Sequence, residues 1–399
     1  MTLARTRLRA RVVYGGLGAP VEEGAAVVQD ADGDQRILFV GAADEAAQRW
    51  PDAAERDVGF ALSPAPVNAH LHLDLSMMPL VEDDYETFVR AVIAHERAGA
   101  RGTDAVRDGL RQLAAAGITT FGDVVRDEET MFLLLDRPGL HGVAYWEVFA
   151  PDPASADAVF DATVERLRRF RARQRPDGVQ VGLSPHTPHS VSAPLLQLLA
   201  RLASANQVPM QIHAAESPSE TRLHRHGDGP LRELMGPLLS TFRPSGRTPV
   251  GYLRELGVLD ARPTVVHAVE VSDDDVRNLQ RSGCAVVHCP RSNRSLRCGR
   301  FPWETYARHG VDVAFGTDSR GSSPSLDVQE EVAAAAEWHG AKASWGALVR
   351  AAVKGGHRAL GLVPPTIGRG DPAEALIVWH AQPGPVRRMT SPGHGKPVS

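Results

Sequence analysis

Two histidines lie one residue apart in the stretch APVNAHLHLDLS, which covers residues 65 to 76. Alternate side chains of a β-strand point to the same face, so His70 and His72 would project together. Imidazole nitrogens bind divalent metals at about 2 Å, and two rings on one face can share one ion. A pair of this kind also occurs on half-solvated strands, so a metal site requires further ligands elsewhere in the chain.

Residues of the same chemistry end several other apolar runs, namely His186, His213, Glu216, His267 and Asp318. With the first pair, His213 and Asp318 complete a set of three neutral nitrogens and one carboxylate. Such a set suits Zn2+ or a similar divalent ion and leaves a coordination position for water. Each residue alone could be a hydrogen-bonded core or turn residue. Unrelated structural residues, however, have no reason to recur at the same end of five strands.

The elements that must position these residues are eight short apolar runs, most of them followed by a helical pattern. The runs are PVNAHLHL, GITTFGDVV, LHGVAYWEVF, VGLSPH, PMQIHAAE, PTVVHAVE, CAVVHCP and DVAFGTDS. The intervening stretches carry apolar residues at three-and-four spacing, with Ser, Thr or Asp near several starts. The pattern predicts an α/β fold, a (β/α)8 TIM barrel over residues 65–365. Its active site would lie at the C-terminal ends of the strands, where the candidate ligands are.

The two ends of the chain have a different pattern. Residues 1–64 contain short strand patterns such as ARVVYGG and RILFVGA with turn residues between them, and GRGDPAEALIVWHAQ returns to this chemistry after the barrel. We expect residues 1–64 and 366–399 to form one small β-sandwich domain. The tail from about residue 383 is expected to be disordered.

Composition limits the partners and the compartment. The 399 residues carry a formal net charge of −4, which gives no reason to expect nucleic acid or an anionic membrane as a partner. The three cysteines form no C-x-x-C motif, which favours a reducing cytoplasm over a disulfide framework. No apolar run reaches the roughly 18 residues of a membrane span, and the N-terminal stretch has no signal-peptide core. The base rate for soluble enzymes favours a homodimer.

The combination of motifs resembles the amidohydrolase superfamily of metal-dependent barrel hydrolases. H-x-H on the first barrel strand, H-x-x-E on the fifth, a histidine on the sixth and the aspartate of GTDS on the eighth carry the resemblance. The stretches GLSPHTPHSVS, HAAES, HGDGPLRELM, VVHCPRSNRSL and GTDSRGSSPSLDVQEE are similar to its deaminase branch, most of all to the aminodeoxyfutalosine deaminases of menaquinone biosynthesis.

The resemblance also bears on the metal. Variants of the superfamily with two metals use a carbamylated lysine on a barrel strand, and every lysine here lies at residue 342 or later, beyond all eight strands. The resemblance therefore implies one divalent metal ion in the active site, with Zn2+ preferred and Fe2+ or Mn2+ compatible with the same ligands.

Roles follow from what deamination of an aminopurine needs. A divalent ion lowers the pKa of bound water to about 7, which supplies the nucleophile. Glu216 is expected to protonate the ring nitrogen, while Asp318 both binds the metal and takes the proton of the water. His267 would orient the attacking water, and His186 would contact the substrate. Arg297 and Arg320 follow strands seven and eight, and we expect them to bind a substrate carboxylate.

Three other interpretations stay open from the sequence. The same metal shell could serve another ring, such as adenosine, S-adenosylhomocysteine, guanine, a cytosine-type ring or a chlorinated triazine. An amide or lactam hydrolase would use the same water, although it has less need of a protonating glutamate. A barrel that has lost catalysis would also be expected to have lost a ligand, and here the full set is present.

Overall fold

The computed structural model describes residues 4–379 and the backbone of the short strand Arg387–Arg388. The strands are β1 (Ala4–Val13), β2 (Val21–Ala31), β3 (Asp34–Ala42), β4 (Ala54–Asp57), β5 (Ala61–Ser63), β6 (Asn68–Leu71), β7 (Thr120–Val125), β8 (His141–Val148), β9 (Val179–Pro185), β10 (Gln211–Ala214), β11 (Thr264–His267), β12 (Val286–His288), β13 (Val313–Phe315), β14 (Ile377–Trp379) and β15 (Arg387–Arg388).

The first helix precedes the barrel, and the other helices lie between or after the barrel strands. In chain order the helices are α1 (Ala43–Arg49), α2 (Tyr85–Arg97), α3 (Thr103–Ala115), α4 (Glu128–Asp136), α5 (Ala156–Arg171), α6 (Ala193–Asn206), α7 (Pro218–His226), α8 (Pro230–Met235), α9 (Pro249–Glu255), α10 (Asp273–Ser282), α11 (Pro290–Ser295), α12 (Trp303–His309), α13 (Val328–His339), α14 (Trp345–Arg350) and α15 (Gly356–Ala359). A π-helical turn over Ala351–Gly355 joins α14 to α15. Within residues 4–379, no helix is both long and apolar enough to cross a membrane.

Both ends of the chain contribute to one mixed seven-stranded sheet. Its order is β3, β2, β1, β5, β14 and β15, and β4 pairs with β1 beside β5. Ahead of β14, the carbonyl of Asp371 and the amide of Gly370 bond with Ile37 of β3, so the two ends of the sheet meet. Apolar residues from both ends share one core, including Leu8, Ile37 and Val378. This is the composite, sandwich-like β-structure that the sequence predicts.

Strands β6 to β13 form the barrel, and all eight predicted runs are confirmed as strands. They lie in two parallel four-stranded groups, β6 to β9 and β10 to β13. Parallel bridges pair Leu183 with Met210 and Leu71 with Asp318, which closes the ring between the groups. The second bridge brings the chain after the last strand against the first strand. Closure therefore places Asp318 beside the two histidines that lie far from it in sequence.

The exact domain boundaries, at residues 65 and 366, stay a prediction, although β5 ends at Ser63 and β6 begins at Asn68. Arg387–Arg388 pair with β14, within the tail expected to be disordered. The rest of that tail lies outside the described residues.

The barrel interior has an apolar half and a polar half. Inward-facing residues near the N-terminal ends of the strands, such as Val67, Val143 and Val287, pack with Leu360 after α15. Gly355 allows the π-helical turn to approach the barrel, since a Cβ there would lie 1.9 Å from a strand carbonyl oxygen. This packed layer leaves only the C-terminal ends of the strands for polar side chains.

Candidate active site

Four side chains converge at the C-terminal end of the barrel, as predicted for the metal ligands. His70 lies on β6 and His72 directly follows it, His213 lies on β10, and Asp318 follows β13. The Nε2 atoms of His70 and His213 are 3.3 Å apart. The Oδ1 atom of Asp318 lies 3.5 Å from Nε2 of His70 and 3.6 Å from Nε2 of His72. Separations near 3.3 Å are those expected of ligand atoms that surround one ion at about 2 Å.

The hydrogen bonds of the two central rings fix which nitrogen faces this point. Nδ1 of His213 lies 2.9 Å from the carbonyl oxygen of His186, which can only accept. Nδ1 of His70 lies 2.7 Å from Oε1 of Gln211, whose amide nitrogen donates to the carbonyl of Ala69. Both Nδ1 atoms therefore carry the proton, and both Nε2 atoms present lone pairs to each other. Two facing lone pairs at 3.3 Å repel each other unless a cation lies between them.

The carboxylate of Asp318 is held in a matching way. Its Oδ2 atom accepts hydrogen bonds from the hydroxyls of Ser292, at 2.7 Å, and Ser322, at 2.9 Å. Oδ1 is left to face the histidines. The residue has a φ of +59°, a left-handed conformation that is costly for a side chain with a Cβ. Its amide donates to the carbonyl of His70, and this bond holds the strained turn in place.

The protonation state of two of the histidines also suits the binding of a cation. Burial, together with the neighbouring imidazoles, lowers the pKa of His72 and of His213 well below the usual value. Both rings are therefore neutral at pH 7, as a metal ligand must be. Three neutral nitrogens and one carboxylate form a donor set for a divalent ion such as Zn2+.

Glu216 lies two residues after β10 and is almost fully buried, with 6% of its surface exposed. Burial raises its pKa well above the usual range, and the negative charges of Asp318 and Glu220 raise it further. Burial and the neighbouring negative charges therefore favour the protonated form of the carboxyl, which can donate a proton. Its Oε1 atom lies 3.6 Å from Nε2 of His267. The amide nitrogen of Asn293 donates to Nδ1 of His267 at 3.1 Å, which leaves the ring proton on Nε2.

The predicted substrate contacts have different surroundings. The ring of His186 lies 5.4 Å from that of His213, and its Nδ1 is 2.8 Å from the hydroxyl of Ser190. Arg297 has a mostly exposed side chain that pairs with Asp83 at 3.2 Å. Arg320 donates to the carbonyl of Ser323 at 2.6 Å.

The other arginines of the loop after β12 are engaged by α13. Arg291 binds Glu330 and Glu331, Arg294 lies 3.4 Å from Glu337, and Arg300 donates to the carbonyl of Trp338. They hold the loop against the helix. Arg297 instead lines a cavity of about 300 Å3 together with Tyr85, Ser217 and Leu296. This cavity adjoins the active site, because the phenol of Tyr85, which lines it, lies close to the carboxyl of Glu216.

Four residues that orient these side chains were not predicted from the sequence: Gln211, Ser292 and Ser322 hold candidate ligands, and Asn293 holds His267. Gln211 could have been found from its spacing, because it precedes His213 by two residues and shares its face of the strand. The serines and the asparagine had no signal beyond their place in loops after strands. Which of them reach a ligand depends on the closure of the barrel.

Comparison with known proteins agrees with this geometry. The model of the amidohydrolase family matches residues 61–383. Aminodeoxyfutalosine deaminase from Deinococcus radiodurans is 42% identical over 379 residues, which cover 92% of this chain and 88% of that protein.

Two solved structures share the fold. Helicobacter pylori aminofutalosine deaminase in complex with methylthio-coformycin has a TM-score of 0.72 and 19% identity, and the match covers 95% of this chain and 93% of that one. An adenosine deaminase from Xanthomonas campestris with bound zinc has a TM-score of 0.69 and 23% identity, with 98% and 88% covered.

Proposed function

The chain belongs to the amidohydrolase family, and we propose that it is a metal-dependent deaminase of an adenine-type ring. The substrate is 6-aminodeoxyfutalosine, and the products are a futalosine-type nucleoside and ammonia, in menaquinone biosynthesis. The observation that carries this proposal is the buried carboxyl of Glu216 beside the four converging ligands, in a chain 42% identical to a deaminase of that name. An aromatic ring must be protonated as it is attacked, and a buried neutral carboxyl supplies that proton.

One divalent ion, Zn2+ in this proposal, is held by His70, His72, His213 and Asp318. When bound, such an ion lowers the pKa of a coordinated water to about 7 and so supplies a nucleophile at neutral pH. The family match, the donor set and the zinc in the Xanthomonas campestris neighbour support a divalent metal. The preference for zinc is our inference from the ligand types.

Three side chains handle protons in this proposal. Glu216 donates to the ring nitrogen next to the carbon that bears the amine, since burial raises the pKa of its carboxyl and favours the protonated form. Asp318 takes the proton of the attacking water through Oδ1, because Oδ2 is occupied by the two serines. That proton then leaves with ammonia, and the second proton of the water returns to Glu216 as the ring carbonyl forms. His267 donates through Nε2 toward the same point and stabilises the oxygen that attacks the ring.

The rest of the substrate extends away from the metal ligands. His186 contacts the ring or the sugar from the end of β9. The cavity lined by Tyr85 and Arg297 takes the part of the substrate beyond the sugar, where a guanidinium can pair with the benzoate-type carboxylate. Arg320 is the other candidate for this carboxylate. Because Arg297 is already paired with Asp83, binding of the substrate would exchange one carboxylate for another.

The test is release of ammonia by the zinc-loaded protein from 6-aminodeoxyfutalosine beside adenosine, S-adenosylhomocysteine and guanine. We expect the first to have the highest kcat/KM. The Glu216→Gln variant should lose about 100-fold or more in kcat, the usual scale of general acid catalysis, while it keeps its metal. Equal kcat/KM for adenosine would overturn the assignment of 6-aminodeoxyfutalosine as the substrate. If the zinc-loaded protein released no ammonia from any of the four compounds, the proposal that it deaminates these rings would be overturned.

Arginine variants test the carboxylate contact separately. Arg297→Ala and Arg320→Ala should raise KM for 6-aminodeoxyfutalosine and leave KM for adenosine unchanged, since adenosine has no carboxylate. Arg294→Ala is the matched control, because Arg294 is exposed and faces Glu337 of α13. An equal rise in KM for both substrates would show that the arginine supports the loop and does not bind the carboxylate.

We also propose that the protein works in the cytoplasm, where a reducing environment suits its three buried free cysteines. The homodimer expected from base rates stays a prediction.

A further inference from the structure

A second cluster of potential metal ligands lies behind Glu216, and none of its residues belongs to the active site. It consists of His189, Glu220 and His224, which are 3%, 2% and 0% exposed. Each offers one ligand atom, and these three atoms all lie within 4.8 Å of one another. Nδ1 of His189 is 3.8 Å from Oε1 of Glu220, which is too long for a hydrogen bond.

The local structure explains why the three side chains meet. Glu220 and His224 are four residues apart on α7, so they lie one turn apart on the same face of the helix. His189 comes from the loop that follows β9, and this loop lies beside the C-terminal end of β10, because the amide of His213 donates to the carbonyl of His186. The ring of His224 packs 5.2 Å from Phe242 and 5.4 Å from Tyr252, so the far side of the cluster is aromatic.

Four polar atoms of the cluster lack a hydrogen-bond partner among the described residues. They are Nδ1 of His189, Oε1 of Glu220, and both ring nitrogens of His224. Each buried polar atom left without a partner costs about 1–3 kcal/mol, so several at one place require an explanation. A cation bound between the three side chains would satisfy one atom on each residue at once.

The glutamate is oriented for such a role. Oε2 of Glu220 accepts the backbone amide of Glu216 at 2.8 Å, which leaves Oε1 to face the two histidines. Asp318 in the active site has the same division, with one oxygen held by hydrogen bonds and the other turned to imidazoles. Burial lowers the pKa of His189 to about 3, so its ring is neutral at pH 7 and its nitrogen is available as a ligand.

We propose that His189, Glu220 and His224 form a second site for a divalent ion of the zinc class, separate from the ion of the active site. Two imidazoles and one carboxylate are ligands that zinc accepts. The ion ties α7 to the loop after β9, and through Oε2 of Glu220 it holds the backbone of Glu216. The site is structural, and it stands independently of the proposed reaction.

The test measures zinc bound to the full-length protein after loading with excess ZnCl2 and removal of free metal by gel filtration. We expect two zinc ions per chain by mass spectrometry of the metal. His224→Gln should retain only the zinc ion of the active site, and His72→Asn should retain only the zinc ion of the second site. His226→Gln is the matched control, since His226 is exposed on the same helix and should leave both ions bound.

A second variant keeps the proposal testable if His224→Gln does not fold. In Glu220→Gln the amide oxygen can still accept the amide of Glu216, while the anionic ligand is lost. This variant should weaken the second zinc at least 10-fold in a chelator competition. Cobalt substitution of His72→Asn should give a d–d absorption spectrum that disappears in the His72→Asn/His224→Gln double variant.

One zinc per chain in both the wild type and His224→Gln would overturn the proposal. The same result with full deaminase activity would leave the proposed function intact, so failure of one is distinguishable from failure of the other. Two ions in every single variant except His72→Asn would place the second ion elsewhere in the chain and would also overturn it.

Discussion

Replacement of Gln211 by leucine tests whether a buried hydrogen bond sets the metal affinity. Gln211 is fully buried, accepts the Nδ1 proton of His70 at 2.7 Å and donates to the carbonyl of Ala69 at 3.1 Å. Leucine is close in size and can do neither. His70 would lose the bond that keeps its proton on Nδ1 and its Nε2 lone pair toward the metal.

Two separate effects follow from this geometry, one on metal affinity and one on stability. Loss of an outer hydrogen bond to a metal-bound histidine typically costs 10- to 100-fold in metal affinity, which is about 1.4–2.7 kcal/mol. The buried carbonyl of Ala69 loses the hydrogen bond that Gln211 donates, which costs about 1–3 kcal/mol of the free energy of unfolding. We therefore expect Gln211→Leu to bind zinc 10- to 100-fold more weakly and to unfold at a lower denaturant concentration.

The zinc dissociation constant is measured by chelator competition, and unfolding of the metal-free protein is measured in urea. Gln211→Glu separates the effects, because a carboxylate still accepts from His70 and no longer donates to Ala69. It should retain most of the zinc affinity and share only the loss of stability. Zinc affinity of Gln211→Leu within twofold of the wild type would refute the argument that this bond orients His70.

Three further predictions concern the supports of the site. Gly355→Ala should lower the free energy of unfolding by about 1–3 kcal/mol or more, because its Cβ would meet a strand carbonyl at 1.9 Å. Gly368→Ala is the control and should change the free energy of unfolding by less than about 0.5 kcal/mol, since no atom lies within 4 Å of its Cβ. Equal urea midpoints for the two variants would contradict this. Burial raises the pKa of Asp327 to about 6, whereas the same carboxyl in the unfolded chain releases its proton near pH 4. The free energy of unfolding should therefore fall by about 3 kcal/mol as the pH rises from about 4 to above 6. Asp327→Asn, which can still cap α13, should show no such fall, and a parallel pH profile of the free energy of unfolding would refute the assignment. Ser322→Ala should weaken zinc binding about 10-fold, because it removes one of the two hydrogen bonds that hold Oδ2 of Asp318. Ser323→Ala, which loses a hydroxyl bonded to Glu331, should bind zinc like the wild type in the same competition.

Much of the barrel and the centre of its site could be predicted from sequence because both depend on local patterns. The runs that became β6 to β13 are short, apolar and bounded by turn residues, which is typical of buried parallel strands. His70 and His72 share a face because strand geometry repeats every two residues. The candidate ligands could be placed together from sequence because parallel strands all end at the same face of the barrel.

The contacts of the arginines after β12 could not be predicted in the same way. Arg291, Arg294, Arg297 and Arg300 recur at every third residue after β12, and their spacing does not show which of them meet a neighbouring helix. Three of them meet α13, which lies some 40 residues further along the chain, whereas Arg297 faces a cavity. Ion pairing depends on which helix packs against the loop, and that is a property of the tertiary structure.

The sequence by itself determined which atoms could bind a metal, because residue type fixes the ligand chemistry and strand periodicity fixes the face. Only the tertiary structure decided how those atoms are held. Closure of the barrel between Leu71 and Asp318 brings the carboxylate to the histidines. Hydrogen bonds with Gln211 and two serines then determine which nitrogen of His70 and which oxygen of Asp318 face the proposed metal position. Hydrogen bonds act over about 3 Å, so their partners are settled only when segments distant in sequence pack together.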